Sequence, residues 1–312
     1  MDLLEISVLT EFMGTSLRLS VPLAFCALGG IMAERSGVYN IGLEGMMLVG
    51  GFGAASGALI TGSALGGLIF GIICAALLGL ILAILSVSLS ANQVVCGIAI
   101  NIFAAGLTSF FARQFFGIGS GVMKLEGFAR WEIPGLSGLP LIGQAFFNQD
   151  SLVYLLYLLV PLLYWLIFHT PWGLAIRATG EKPIAVESAG YIVTKIRYAC
   201  VIASGALAGI GGCYLVLAEV FTFSENMTAG KGFVALAAII LGRWSPVGVL
   251  LAAFLFGLCD ALQLLLQFSN PEVPYHIFIV LPYAVSIIAM IGFHGKVKPP
   301  KAIGTPFRRE TG

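Results

Sequence analysis

Charge is what this chain has least of. Of its 312 residues, 16 are Lys or Arg and 15 are Asp or Glu, about a tenth of the total, where a soluble domain carries about a quarter. Hydrophobic residues make up 59%, more than a water-facing fold of this length can hide, so lipid must be the solvent for most of it. Histidine is nearly absent: His169, His276 and His294 stand alone at the ends of apolar stretches, which leaves no cluster for a metal and no spacing for a nucleophile and its base. The six cysteines (26, 74, 96, 200, 213 and 259) form no CxxC pair and read as small core hydrophobes. No GxxxxGK[ST] loop is present to cradle the phosphates of ATP. With a net charge of +1 and no basic face, nucleic acid is excluded as a partner. The first fourteen residues carry Asp2, Glu5 and Glu11 and no Lys or Arg, unlike the positive start of a cleavable signal. Insertion is therefore expected to rely on the spanning helices, as in an inner-membrane protein.

What is there in quantity is the apolar run. Such segments cover 17–33, 41–60, 65–89, 94–111, 152–168, 199–221, 233–241, 247–268 and 277–291, most near the ~20 residues a helix needs to cross the hydrocarbon layer. The expected fold is all-α: one polytopic transmembrane bundle of about eight to ten helices, forming a single domain over 1–312. The segment 233–241 is too short to span, and adding 228–232 makes a half-helix or an unwound stretch. Forty glycines suit close helix contacts in lipid.

Lys and Arg near span ends set the orientation. The tail 292–312 holds Lys296, Lys298, Lys301, Arg308 and Arg309 against Glu310, and the connection 170–198 holds Arg177, Lys182, Lys195 and Arg197. Both are expected in the cytoplasm. The acidic connections 224–226 and 270–272 and the external loop 114–150, with Pro134 and Pro140, fall outside. Residues 27–31 (ALGGI) followed by Gly42–Gly45 echo residues 206–210 (ALAGI) followed by Gly230–Gly232. On opposite sides of the membrane, that echo is what an inverted repeat would give, although chance resemblance in so Gly- and Ala-rich a chain would give it equally.

Three stretches are polar where the bilayer penalises polarity, a charge at its centre costing ~2.5–3.5 kcal/mol even on lenient scales. In 33–45, Glu34, Arg35, Asn40 and Glu44 lie among three glycines between two spans. They are either a solvated turn or irregular backbone lining protein or a cavity. In 91–101, Asn92 sits where a helix cap belongs, Gln93 follows it, and Asn101, two and a half turns on, needs a partner from another helix or a ligand. In 224–233, Lys231 between Gly230 and Gly232 either snorkels to the surface or marks an elbow that touches substrate. A fourth stretch, 172–191, belongs to a cytoplasmic loop, yet Pro183 suits a first helical turn and Gly190 a last one. The short amphipathic helix between them, with Glu187 on its polar side, needs a cytoplasmic partner to pack on.

These residues resemble a known family. Glu34-Arg35-Ser36-Gly37 with Asn40-Ile41-Gly42-Leu43-Glu44-Gly45-Met46-Met47, then Arg177-Ala178-Thr179-Gly180-Glu181-Lys182-Pro183, Gly230-Lys231-Gly232-Phe233-Val234-Ala235-Leu236-Ala237-Ala238 and Gly242-Arg243-Trp244, are similar to the signature blocks of ABC-importer permeases for nucleosides, within the wider ribose and branched-chain amino-acid permease superfamily. The resemblance runs over about 17–295. It implies a second permease, homologous or identical; two ATP-binding subunits that carry the ATP and Mg; and a substrate-binding lipoprotein or periplasmic protein, so that this chain holds no cofactor and catalyses nothing. It implies that Arg177, Gly180, Glu181, Pro183, Ala185, Glu187 and Gly190 carry the coupling helix for the ATPase, and that Asn40, Glu44, Asn92, Gln93, Asn101 and Lys231 line the substrate path. The cargo is expected to be a purine or other nucleoside; a simple sugar, riboflavin or another small ring compound fits the same architecture. An ion-coupled transporter would want an intramembrane relay, for which Glu219 and Asp260 are the candidates.

Overall fold

A computed structural model describes residues 6–117, 125–139, 142–269 and 299–307, with a few positions between 280 and 288. The expected last span, 277–291, and most of the basic tail lie outside the described residues. Among the described residues seven helices are long and apolar enough to cross a membrane. In chain order the elements are α1 (Ile6–Arg35), α2 (Leu43–Thr61), α3 (Ala64–Ala83, prolonged by a π-helical turn Ile84–Ser88) and α4 (Gln93–Phe116). A small piece between spans follows, with strand β1 (Arg130–Glu132), helix α5 (Ile142–Phe147) and strand β2 (Asn148–Asp150). Then come α6 (Ser151–His169), the short α7 (Pro171–Glu181) and α8 (Pro183–Ser188), and α9 (Val193–Tyr214, continued by a π-helical turn Leu215–Val220). The half-helix α10 (Lys231–Leu241) and α11 (Pro246–Ser269) complete the set.

Two elements go beyond the apolar pattern. Helix α1 begins at Ile6 rather than near Leu17. Its 30 residues span ~45 Å, longer than the hydrocarbon is thick, and beside Gly14 it packs on α5. The antiparallel pairing of β1 with β2 is carried by six residues with no alternating apolar pattern, too short to leave a sequence signal.

Helices α1, α2 and α9 are buried along most of their length, whereas α3, α4, α6 and α11 keep an apolar outer face. Packing is reciprocal. Helix α1 lies on α9, α10 and α11, and α9 lies on α1, α2 and α3. With α1, α2 and α3 matched to α9, α10 and α11, each half lends its first helix to the other. Helix α1 ends beside α7, where Gly180 meets Arg35, and α9 begins next to α8, so the two run in opposite directions and the halves are inverted, the arrangement an inverted repeat would give.

Small residues permit this contact. A Cβ on Gly50 would stand 2.5 Å from Gly209 Cα, and one on Gly212 1.8 Å from the Met47 carbonyl oxygen. Between membrane helices, where apolar contact alone earns little, such close backbone approach supplies the attraction. Gly212→Ala should therefore lower the apparent melting temperature in detergent, at a cost of ~1–3 kcal/mol from overpacking. Gly106→Ala, whose Cβ would meet nothing within 4 Å, should melt with the wild type. Equal melting of both variants would refute the tight α2–α9 contact.

Candidate functional site

Two breaks between helices, residues 36–42 and 221–230, each end at a helix that starts inside the bundle. Helix α1 ends at Arg35. The backbone then turns back, and Asn40 reaches Ser204 of α9, its Nδ2 donating to Oγ at 2.8 Å. Helix α4 supplies two more side chains that hold this re-entering segment. Gln93 Oε1 accepts from Tyr39 N at 2.6 Å. Asn101 accepts from Gly45 N at 2.8 Å and donates to the Ile41 carbonyl at 3.0 Å, so one amide satisfies both a free donor and a free acceptor of irregular backbone. Asn92 caps α4, accepting from Val94 N and Val95 N, as its position before the helix required.

The second break is gripped from the first. Glu44, in the opening turn of α2, is buried and accepts three hydrogen bonds: from Thr228 Oγ1 at 2.6 Å, Gly230 N at 2.8 Å and Gly232 N at 2.6 Å. The two amides are free donors at the start of α10, and a carboxylate is the anion such a terminus attracts. Asn226 and Ala229 hold left-handed backbone at φ +56° and +46°, strain of ~1–3 kcal/mol each that lasts only where neighbours over-determine it. Glu44 and Gly232 lie so close that a Cβ on the glycine would stand 2.5 Å from Glu44 Cα. Farther out, Arg113 grips Glu225 through Nε (2.8 Å) and Nη2 (3.2 Å), holding that carboxyl below its usual range.

The other end of α10 is held in the same manner. The turn after it puts Arg243 and Trp244 at φ +55° and +53°. Trp244 Nε1 donates to buried Glu34, and the Trp244 carbonyl accepts from Arg35 Nε at 3.0 Å and Nη2 at 2.9 Å. Glu34 and Arg35 are therefore not a solvated turn.

Helices α7 and α8 form the predicted amphipathic loop. Glycine at 190 has φ +86°, and the bonds Gly190 N to Glu187 O (2.9 Å) and Tyr191 N to Val186 O (3.2 Å) make the left-handed helix stop that its sequence implied. Gly180 lies against the turn after α1; a Cβ there would stand 2.3 Å from the Arg35 carbonyl oxygen. The guanidiniums of Arg35 and Arg177 stack on Phe168 at 5.6 and 5.3 Å. The tail closes over this junction: Ala302 N donates to the Gly180 carbonyl at 2.8 Å, and fully buried Arg197 donates to the Thr305 carbonyl at 3.1 Å. The far side of the loop is open and apolar. Trp172, Leu174, Ile184 and Ala185 are exposed, and a groove of about 210 Å³ runs between α7 and α8 past Ala178 and Ala189.

Of the six residues assigned to the path, Asn40 lies in the first break, Gln93 and Asn101 hold that break, Glu44 holds the second and Lys231 opens α10, whereas Asn92 caps α4. What sequence reasoning missed was Trp244 and Thr228 as partners, and Asp260, whose Oδ2 lies 3.9 Å from Lys231 Nζ. Two polar residues in apolar spans, Glu219 and Asp260, were the available signal. Among the described residues no group of three His, Cys, Asp or Glu could hold a metal, and all six cysteines are free.

A helical membrane bundle with inverted halves, a half-helix gripped inside it and an exposed apolar loop is the architecture of a transport permease. Residues 12–291 match the family of permease components of branched-chain amino-acid transport systems, and the chain belongs to that family. Among its relatives is the guanosine ABC transporter permease protein NupQ of Bacillus subtilis, 36% identical over 98% of both chains. Another is the nucleoside ABC transporter permease protein NupC of Lactococcus lactis, 36% identical over 92% of this chain and 93% of the relative. A putative glucose ABC transporter permease protein of Haloferax volcanii, TsgC13, is 39% identical over 78% of this chain and 73% of its own.

Glu44→Gln keeps the shape of the side chain but turns an amide NH2 toward backbone donors. It should lower the melting temperature by the loss of a charge-assisted hydrogen bond, ~1.5–3 kcal/mol, and Thr228→Val should cost less, ~0.5–1.5 kcal/mol. Thermal unfolding in detergent measures both. If Glu44→Gln melts like the wild type, the carboxylate does not hold α10.

Proposed function

We propose that this chain is the membrane-spanning permease subunit of an ATP-driven importer for nucleosides in the bacterial cytoplasmic membrane. The observation that carries the cargo is the full-length likeness to the guanosine and nucleoside permeases; the grip on α10 supports the mechanism. A second permease completes the path, two ATP-binding subunits dock on the inner face and supply ATP and Mg2+, and a lipoprotein or periplasmic protein delivers cargo from outside. The likeness to a putative glucose permease favours one second reading, import of a simple sugar through the same architecture.

The mechanism is alternating access, which needs no covalent chemistry, only different affinities for substrate in two states. Closure of the ATPase dimer displaces α7 and α8. Gly180 bears on the Arg35 carbonyl, so the displacement reaches the turn after α1. That turn carries Glu34 and Arg35, which hold the inner end of α10, and it leads to Glu44, which holds the other end. The loop and the half-helix therefore move together. Pro183 starts α8 and Gly190 stops it; Glu181, Ala185 and Glu187 meet the ATPase; Arg177 ties the loop to Phe168. Asn40, Gln93 and Asn101 shape the path through the backbone they hold, and Lys231 faces it.

The cargo reading is tested in cells lacking their own uptake systems, supplied with the whole complex: labelled guanosine should accumulate and glucose should not, and the opposite result selects the sugar. For coupling, Ala185→Arg sets a charge on the apolar face and should cut co-purification of the ATPase and uptake by about tenfold or more, with the permease still present in the membrane. A complex that stays intact and active would remove α8 from the coupling role.

A further inference from the structure

Lys231 opens α10 between the two glycines whose amides hold Glu44, so it lies at the depth where the two broken helices meet. A charge at that depth is costly and marks a path or a partner. Its ion pair with Asp260 of α11 is loose. The 3.9 Å separation lies beyond hydrogen-bond reach, so the ammonium and the carboxylate both keep unspent donors and acceptors. Both side chains are about a quarter exposed, 23% and 28%. A third group completes the cluster. Glu219 stands in the π-helical turn at the end of α9, within electrostatic reach of Lys231, Asp260 and Arg18. Its Oε2 is buried and has no hydrogen-bond partner. The turn itself is pinned from outside, with Phe128 N donating to the Leu217 carbonyl at 2.9 Å and Leu125 N to the Phe221 carbonyl at 2.8 Å.

Two carboxylates accept hydrogen bonds and donate none. With Lys231 and Arg18 the formal charges cancel, so a neutral solute fits, and a phosphorylated one would bring negative charge to two carboxylates. The neutral donors that suit a carboxylate are the vicinal hydroxyls of a furanose ring, the pairing by which dinucleotide-binding folds hold ribose with an Asp or Glu. We propose that Glu219, Lys231 and Asp260 form a ribose-recognition site in the translocation path, the carboxylates accepting from the 2′- and 3′-hydroxyls and Lys231 donating to a sugar oxygen. This rests on the reading of the chain as a nucleoside permease and names the part of the cargo that the permease itself senses.

The test uses the whole complex in proteoliposomes with its lipoprotein saturated by either of two cargos, a ribonucleoside or the matching 2′-deoxynucleoside. Asp260→Asn and Glu219→Gln should each lower ribonucleoside uptake about tenfold or more and 2′-deoxynucleoside uptake much less, so that the ratio of the two collapses. Asp260→Glu, which keeps the acceptors, should preserve the ratio and shows that any loss in the Asn variant is not misfolding. Uptake of both cargos falling together, or an unchanged ratio in all variants, overturns the site while the nucleoside reading stands. Failure of the wild-type complex to move either nucleoside overturns that reading and the site with it.

Discussion

The half-helix α10 is held at both ends by one short connection. Glu44 takes the free amides at its start, and Glu34 with Arg35 takes the Trp244 turn at its end. Without these grips the backbone from 221 to 230 and the turn at 242–245 would present unsatisfied groups and left-handed residues to an environment that offers no water. The irregular backbone that transport needs is thus stabilised by charged residues, and those charges are tolerated because backbone donors surround them. Each requirement answers the other.

The same connection joins the inner loop to the interior. Gly180 meets it through backbone contact that leaves no room for a methyl group, a rigid junction rather than a sliding one. The central helices touch through glycine, so the irregular backbone is confined to the connections and is held there by the charged residues beside it.

Much of this was legible in the chain. The spans follow from hydrophobic runs, the stop of α8 from a Gly at 190, the cap of α4 from Asn92. The polar residues at 34, 40, 44, 93 and 101 announced themselves by standing where lipid should be. Their partners were not legible. Glu44 meets Gly232 across 188 positions and Glu34 meets Trp244 across 210, and no local pattern encodes which distant backbone group a carboxylate will find. Nor did composition decide whether Glu34 and Arg35 faced water: the choice was made by the strained turn that needed them. The two short strands and the first turns of α1 carry no long apolar run, so hydropathy does not mark them.

The closing of the tail over the inner face has a consequence for how the molecule is made. Arg197 and Thr305 are 108 positions apart, and Ala302 bonds to Gly180, so α10, α11 and the residues after them must all leave the ribosome before that junction can form. Until the end of the chain arrives, the buried Arg197 guanidinium therefore lacks the Thr305 carbonyl to which it donates.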